Sequence, residues 1–560
     1  MLLALVLSCA KPAPAPQAGP RLRFTALAEP VPQADGSTLL ASAELDGQAS
    51  PFGWQVFIAE GDKPGDSPLP FGTLVDSQGR PLPDGTAPTC SYPDGNGLVE
   101  TQGRIWLSTN LECTPATLYR TELSLVDGAF RALRTAPVDL AAVGGTNQLC
   151  AAEMTPQGSF LTAEEYEPDA ALFKDGQLDI SGVVTSTGKA FYDASGWKDF
   201  QRFDPGARNP YSVGWMVEVA PDTTVRKRTA MGRFSHELGR TMPDGRTVYL
   251  SDDYSFGMLA VFIADTVGDL SAGRLYAARW VEEAGGTRLS WVDLGHAQEA
   301  EIDAAIVGGT TFEQLFERTI PAAPGLCPEG LQPVRGPQGV DECLAFKPGQ
   351  QALATRLETR RAAALLGATV ELEKEEGLAV DPVGRRLFVA FTRISNGMLA
   401  DNPPQGESDH VRLPENPCGV VYSFDLEGAQ LDTAGAPIDS EWVATSAIPA
   451  VAGVPGADGC DPAWPSEPDN VEWMPGAQAL LIAEDTDRSP NLLWVWQGGA
   501  PVPLLAGPPR PESGRLAEIA GLSWVPSVGG QGWITVSIQH PGGQPARVGV
   551  LGPFPASRAR

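Results

Sequence analysis

Short apolar runs recur along the chain with the same punctuation. A turn residue, usually Gly, is followed by four to six apolar or β-branched positions and then by a polar or acidic residue. The phrase occurs at 102–110 (QGRIWLSTN), 157–165 (QGSFLTAEE), 244–253 (DGRTVYLSDD), 383–392 (VGRRLFVAFT), 476–485 (GAQALLIAED) and 531–540 (QGWITVSIQH). Runs of this length bounded by turn residues predict β-strands, and six copies of one phrase predict a repeat architecture.

A polar or metal-capable residue precedes each strand end at a regular distance. Asp94 stands before Asn110, Cys150 before Glu165, Glu237 before Asp253, Glu376 before Thr392, and Asp469 or Asn470 before Asp485, fifteen or sixteen positions apart; in the sixth copy Glu518 precedes Gln539 by twenty-one. Between the two positions lies an apolar run closing on Pro or Thr near a Gly, as in LGRTMPDG, GLAVDPVG, VEWMPG and AEMTPQG. This predicts two antiparallel strands joined by a tight turn, with the earlier residue and the later strand end at one edge of the sheet. Six such units arranged radially predict an all-β fold, a six-bladed β-propeller. Its innermost strands then bring Cys150, Glu237, Glu376 and Glu518 to one central channel. Carboxylates ringed there without cations would repel one another by several kcal/mol, on the order expected for like charges in a poorly solvated place, and bound cations remove that difficulty.

Two departures from the repeat predict insertions. The first, about 254–375, contains a strand-like GRLYAARW at 273–280 and a helix from Gln350 to Leu366, whose Leu353, Leu357 and Ala364 share a face before Gly367 stops it. A sheet extension and a helix packed on the propeller surface are expected. The second, 398–418 (MLADNPPQGESDHVRLPENPC), together with 453–470, is long enough to form a lid over the pocket. Residues 23–560 are expected to form a single propeller domain carrying these insertions.

Charge narrows the partners. With 69 acidic against 40 basic side chains and a formal net charge of −29, the chain lacks the clustered Lys and Arg that phosphate backbones require, so nucleic acid is excluded and metal cations are the natural partner. The 62 Gly and 51 Pro exclude a long helical bundle.

The N-terminus predicts export. Residues 2–7 (LLALVL) are apolar, Ser8-Cys9 follows, and Pro-rich sequence begins after Lys11. Residues 1–9 resemble a bacterial lipoprotein signal with Cys9 as the lipidated residue, and 10–22 a stiff linker; an ordinary cleaved signal peptide is the alternative. The protein is expected outside the cytoplasm, lipid-anchored to a bacterial membrane or secreted, touching membrane only through the anchor, and monomeric. No other apolar run approaches the ~20 residues a membrane helix needs. Of the cysteines Cys9, Cys90, Cys113, Cys150, Cys327, Cys343, Cys418 and Cys460, removing Cys9 and one special thiolate leaves an even set suited to an oxidising compartment. Neighbour pairing (90–113, 327–343, 418–460) is the simplest of the fifteen connectivities. No CxxC supports a zinc ribbon, and no GxSxG supports a serine nucleophile. His236 and His540 are pocket candidates, while His296 and His410 lie in polar loops.

Several separate motifs resemble the PhoX-type alkaline phosphatase family of secreted bacterial propeller phosphatases, over about residues 90–545. Cys150-Ala-Ala-Glu-Met-Thr-Pro-Gln-Gly-Ser-Phe-Leu-Thr-Ala-Glu-Glu165 is similar to a family phrase in which Asn-Cys precedes TPWGTWLTCEE. Gly232-Arg-Phe-Ser-His-Glu237 is similar to GRFKHE, and Ser251-Asp-Asp253 to GDD. Glu376 stands at the metal-binding glutamate of an Arg-Pro-Glu motif. Ala517-Glu518-Ile and Ser537-Ile-Gln-His-Pro-Gly542 resemble the closing blade, and Asn110-Leu-Glu112 stands where the family has Asn-His-Glu. Segments 355–380 and 409–424 resemble a longer-insert branch of the superfamily.

The resemblance implies iron and Ca²⁺ in the channel and hydrolysis of small phosphate esters there. It implies Cys150 as an iron thiolate with Glu237, Glu376 and Glu518, and Ca²⁺ at oxygen-only positions among Asn110, Glu112, Glu164, Asp253 and Asp485. Glu376 and Lys374 are then the residues at the chemistry. Lys374 aligns with a phosphate-contacting arginine, and binds phosphate as a point charge without the planar fork of Arg. Leu111 and Leu149 also depart from the family pattern. Two other readings use the same residues differently: a Ca²⁺-dependent propeller lactonase, which has no evident need for the Cys150 thiolate, and a non-catalytic surface propeller stabilised by metal.

Overall fold

The computed structural model describes residues 22–556 apart from 83–88, 175–176, 179–208, 284–285, 324, 337–340, 401–408, 458 and 510–515. The leader with Cys9, linker residues 10–21 and the middle of the 398–418 excursion lie outside the described residues.

The fold is all-β and propeller-like, and every strand expected from the recurring phrase is present. Each phrase forms the second strand of a four-stranded antiparallel unit, and the residues before it form the first. Unit 1 comprises Pro93–Thr101, Arg104–Leu111, Thr117–Val126 and Ala129–Pro137; unit 2, Leu149–Met154, Phe160–Glu164, Met216–Val219 and Val225–Lys227. Unit 3 comprises His236–Thr241, Thr247–Asp252, Ala260–Thr266 and Asp269–Glu283; unit 4, Glu375–Asp381, Arg386–Phe391, Val420–Glu427 and Val443–Ala452. Unit 5 comprises Pro468–Met474, Ala479–Glu484, Leu492–Trp496 and Val502–Ala506. Unit 6 is Glu518–Val528, Gln531–Gln539 and Arg547–Pro555, completed by Gly53–Ala59 from the N-terminal end of the chain. That last pairing closes the first and last parts of the fold onto each other without a free sheet edge between them.

First strands of successive units touch in a closed cycle, from unit 1 through unit 6 and back to unit 1. They crowd where they meet. A Cβ at Gly377 would lie 2.5 Å from the Val471 nitrogen and 2.8 Å from the Asp469 carbonyl oxygen, and one at Gly95 would lie 2.4 Å from both the Ala152 Cβ and Asn110 Oδ1. Glycine at these two places is what lets the inner backbones approach.

Large apolar clusters fill the space between units, as where Phe388 stacks on Trp473 at 5.4 Å and where Leu161, Met216, Phe234, Leu250 and Phe262 pack together. The burial runs on both faces of the strands, which is why the sequence shows near-continuous apolar runs instead of strict alternation.

The insertion starts later than its sequence suggests. Residues 260–283, expected as part of it, are the third and fourth strands of unit 3, and Gly286–Gln298 joins units 3 and 4 into one nine-stranded sheet. These outer strands lack the recurring phrase, so periodicity alone did not assign them. The expected helix is two helices, Gln351–Leu357 and Thr359–Leu365, interrupted at Glu358 with φ −132° and ψ 56°. The Glu358 carboxylate there accepts from Tyr211 Oη at 3.0 Å and pairs with Arg361 at 2.7 Å, contacts that hold it out of a helical path. Gly367, at φ +86°, ends the second helix as expected.

Three disulfides join Cys90 to Cys113, Cys327 to Cys343 and Cys418 to Cys460, and Cys150 is a buried free thiol. This framework fits an oxidising, extracytoplasmic setting. No described helix is long and apolar enough to cross a membrane.

Candidate metal centre

One backbone device repeats at the inner edge of the fold. In units 1 to 5 the residue following the second strand, Glu112, Glu165, Asp253, Thr392 or Asp485, donates its N–H to the carbonyl of Tyr92, Gln148, Ser235, Lys374 or Glu467, at 2.9 to 3.3 Å. Two residues beyond each of those carbonyls stands Asp94, Cys150, Glu237, Glu376 or Asp469. The strand register then shifts in the same way in all five units, with three residues of the first strand set against two of the second. Such bulges bend a strand and re-aim its side chains, so each unit delivers one residue from its first strand and one from beyond its second to the same place. In unit 6 the pattern slips: Glu518 pairs directly with Gln539, and His540 donates its N–H to Ser91.

The delivered side chains converge. Asp94, Glu112 and Cys150 offer ligand atoms all within 4.8 Å of one another, and so do Cys150, Glu165 and Glu237, and Glu237, Asp253 and Glu376. The three groups share Cys150 and Glu237 and so form one chain across units 1 to 4. The Cys150 thiol donates to Glu237 Oε2 at 3.0 Å and lies 3.5 Å from Asp94 Oδ2. Gln539 Nε2 donates to Asp94 Oδ2 at 3.0 Å, Thr392 Oγ1 to Glu376 Oε1 at 2.7 Å and Tyr166 Oη to Asp253 Oδ2 at 2.7 Å. Lys374 Nζ contacts Asp253 and lies 3.0 Å from Glu376 Oε1.

Electrostatics mark this as a place short of positive charge. Burial, with repulsion from neighbouring carboxylates, pushes Asp94 up to about 7 and Glu112 up to about 8; burial together with Asp253 takes Glu376 to about 8. Burial and like charges raise Glu165, Glu237, Asp469 and Glu518 well above the carboxylate range, and they raise the Cys150 thiol likewise. Asp253 goes the other way: burial alone would raise it, but the Lys374 ammonium and the donors around it hold it well below the usual range. Asp94 Oδ1, Asn110 Oδ1, Glu237 Oε1 and Gln539 Oε1 are buried without a hydrogen-bond partner. Oxygen donors aimed inward without partners, beside a thiol, fit multivalent cations. Hard cations suit the carboxylate and amide oxygens, and a softer transition metal suits the sulfur.

The residues singled out in the sequence divide into those at the centre and those beside it. Cys150, Glu237, Glu376, Glu112 and Asp253 converge as described, with Lys374 among them. Glu518 stands next to His540, whose Nε2 is 3.2 Å from Glu518 Oε2, and is not in the groups that share Cys150. In unit 6 the ladder runs on past its bulge at Ala520–Ser523 as far as Glu518, so Glu518 is a paired strand residue and not one re-aimed by the bulge. Asp485 is exposed, although its charge adds to the raising of Asp94, Asp469 and Glu518. Asn110 spends its amide on the carbonyls of Leu149 and Cys150, at 2.5 and 2.6 Å, leaving only Oδ1 directed elsewhere.

Glu164 is a structural acid. Its carboxylate accepts from the backbone of Asn147, Gly214 and Trp215 and pairs with Lys227 at 2.8 Å. Its neighbour Glu165 faces the centre instead. His236 also points away: its Nε2 meets the Gly232 carbonyl at 2.9 Å and its ring lies on Phe234, and burial pushes it down to about 3. His296 sits on a strand and not in a loop, beside Asp265, whereas His410 lies in a loop as expected, half-buried against Thr369.

Tyr166 carried no signal of its own, since nothing in its spacing repeats. Glu165 and Asp94 did carry one. Acidic doublets at strand ends place alternate residues on opposite sides: Glu165 and Asp253 turn to the centre while Glu164 and Asp252 accept backbone N–H groups, and in the third doublet Glu484 accepts backbone N–H groups while Asp485 is exposed.

Comparison with known proteins identifies a family and a shared fold. The model of a family described as alkaline phosphatase PhoX matches residues 128–542. Among solved structures, Pseudomonas fluorescens PhoX in complex with vanadate, a transition state analogue, aligns with a TM-score of 0.60 and 19% identity, covering 95% of this chain and 98% of that one. At that identity the alignment establishes a shared fold. The propeller domain of the Trilobed protease from Pyrococcus furiosus aligns with a TM-score of 0.28 and 8% identity over 82% of this chain and 95% of that one, too distant to bear on fold or function. No curated protein sequence matches the chain.

Proposed function

The chain belongs to the PhoX alkaline phosphatase family, and from that premise we propose that it hydrolyses small phosphate esters at a multivalent-cation centre in the channel of a six-bladed propeller. The six units are the blades, and residues 23–560 form one domain around them. The observation that carries the reading is the convergence of a buried thiol and buried carboxylates from four units on a place with little compensating positive charge.

Cys150, Glu237, Glu165 and Asp94 would hold the softer, iron-type cation. Glu237, Asp253 and Glu376 would hold a cation too, and Ca²⁺ suits the oxygen-only part of the set, with Glu112, Asp469 and Glu518 at its margin. When bound, such cations supply the positive charge that the oxygens of a transferring phosphoryl group demand.

The chain's own residues do the rest. Lys374 is half-exposed, with its ammonium between Asp253 and Glu376, and offers a point charge to an incoming phosphate. Its backbone is in the left-handed region, φ +46°, as are Gln148 and Glu467 at the matching positions of units 2 and 5, so the turn and not the side chain sets its place. Thr392 fixes one oxygen of Glu376, Gln539 one oxygen of Asp94, and Tyr166 holds its phenolic proton on Asp253. Arg240 closes the channel one layer further along the strands, pairing with Glu472 at 2.9 Å and Glu153 at 3.4 Å and donating to the Leu378 carbonyl. Water and substrate then reach the centre from the Lys374 side. Export with Cys9 as a lipid anchor, and a monomeric state, complete the proposal.

The test is hydrolysis of p-nitrophenyl phosphate with added Ca²⁺ and iron. Cys150→Ala is expected to lose about a hundredfold or more of the rate, in line with loss of metal-holding groups. Full activity in Cys150→Ala, or after exhaustive chelation, would contradict the reading.

A further inference from the structure

A helix of the insertion reaches the edge of the metal centre through a buried arginine. Arg360, on the helix Thr359–Leu365, is 6% exposed. Its Nη2 contacts Glu167 Oε1, its Nε lies 3.1 Å from Asp252 Oδ2, and its guanidinium sits 4.4 Å from the centre of the Tyr254 ring. Glu167 follows Glu165 and Tyr166 in the chain, and Asp252 and Tyr254 flank Asp253. A single guanidinium therefore grips both segments that present Glu165, Tyr166 and Asp253. From the other side the two segments are tied to Ser235, which accepts the Tyr166 N–H on Oγ at 3.0 Å and the Asp253 N–H on its carbonyl at 3.0 Å.

The next residue provides a control within the same helix. Arg361 is 2% exposed and pairs with Asp169 at 2.9 Å, Glu342 at 2.6 Å and Glu358 at 2.7 Å. None of these three adjoins a residue of the centre in sequence. Two neighbouring arginines thus share residue type, burial and helix, and differ in what they hold.

We propose that Arg360 is a positioning residue for the metal centre: by bridging Glu167 and Asp252 it fixes the separation of Glu165 and Tyr166 from Asp253, and thereby sets the affinity of the centre for a divalent cation. The inference rests on the metal-centre reading above. A cation site tolerates displacements of only about half an ångström in its donors, and groups that orient the ligands without touching the ion typically matter 10- to 100-fold in affinity. The planar fork of Arg offers each carboxylate its own nitrogen in a fixed geometry, whereas the ammonium of Lys is a single point on a flexible stem.

The experiment titrates Ca²⁺ into the full chain, stripped of metal, by calorimetry, with thermal melts recorded in parallel. Arg360→Lys is expected to weaken Ca²⁺ binding about 10- to 100-fold. Arg361→Lys, a comparable loss of buried ion pairing, is expected to lower the melting temperature of the metal-free protein while leaving Ca²⁺ affinity within about threefold of the wild type. Should Arg360→Lys not fold, Glu167→Gln removes one arm of the bridge and is expected to weaken Ca²⁺ in the same direction. Unchanged affinity in a folded Arg360→Lys or Glu167→Gln, or equal weakening in Arg361→Lys, overturns the positioning role with the metal centre intact. A wild-type protein that binds no Ca²⁺ overturns both.

Discussion

Two buried acidic regions lie side by side in this protein, and they are balanced in opposite ways. Around the insertion helices five carboxylates each meet a guanidinium: Glu342 is held by Arg318 and Arg361, each at 2.6 Å, Glu358 and Asp169 by Arg361, and Glu167 and Asp252 by Arg360. At the inner ends of the strands, Asp94, Glu112, Glu165, Glu237, Asp253, Glu376 and Asp469 gather around Cys150, and among the described residues Lys374 is the one cation that ion-pairs with this set. Two carboxylates about 4 Å apart repel by about 4 kcal/mol at the effective dielectric of a protein site. Charge matching makes the first region a structural joint. Its absence makes the second a receptor for cations, and the same residue types serve both ends.

The sharpest way to break the contrast is to remove one acid from each side. Glu342→Leu, which leaves the buried Arg361 guanidinium short of a partner and removes the Arg318 pair, is expected to cost about 3–5 kcal/mol, read from denaturant unfolding. Glu237→Gln should lose about a hundredfold of phosphatase rate and yet raise the melting temperature of the chelated protein, because a buried Gln needs neither the charge nor the extra proton that Glu237 must carry in the folded chain. A fall in the chelated melting temperature as large as that of Glu342→Leu would erase the distinction.

Acidity gives a second handle, of a few kcal/mol at most. In the metal-free protein Asp94 holds its proton up to about pH 7, and Glu112 and Glu376 up to about 8, against ordinary values of 3.8 and 4.5. Between about pH 4 and 8 the folded chain therefore keeps protons that the unfolded chain has released, so stability is greatest at the acid end and declines as pH rises through the folded values. Saturating Ca²⁺ should flatten that slope, since bound cations take the place of the protons. A chelated protein whose unfolding free energy climbs from pH 5 to 8 would contradict the assignment.

The doublet at the end of the second strand of unit 2 separates the roles at single-residue resolution. Glu164→Gln should destabilise by about 1–3 kcal/mol, through the weakened Lys227 pair, with Ca²⁺ affinity retained. Glu165→Gln should do the reverse. The smallest effect is expected from Lys374→Arg, a few-fold change in KM for p-nitrophenyl phosphate with kcat nearly kept, since both side chains bring one positive charge to the phosphate.

Much of this was legible in the sequence, for reasons that also show where reading stopped. The six strand pairs were visible because both strands of each lie in the apolar interior and end at one edge, so a composition pattern and a fixed spacing survive together. Neighbour pairing of the cysteines agrees with Cys90–Cys113, Cys327–Cys343 and Cys418–Cys460. The meeting of Cys150 with Glu237 followed from that spacing as well. What the spacing could not supply was facing: Glu164 was chosen over Glu165 because a bulge, invisible in the sequence, decides which of two adjacent acids turns inward. Glu518 was grouped with Cys150 although in unit 6 the bulge lies further along the strand and leaves Glu518 on the regular ladder. The outer strands of unit 3 were merged into the insertion because they lack the inner-edge motif, and Gly53–Ala59 completes unit 6 from almost 500 positions away in the chain, as the Gly53–Gly552 pairing shows. No local pattern encodes such a partner.

Elemental analysis of protein purified without chelators decides whether the inner acids hold cations. Iron and calcium bound in defined ratios to the chain, with iron lost in Cys150→Ala, is the expected result. A fully active wild-type protein carrying no multivalent metal would contradict the assignment of these residues.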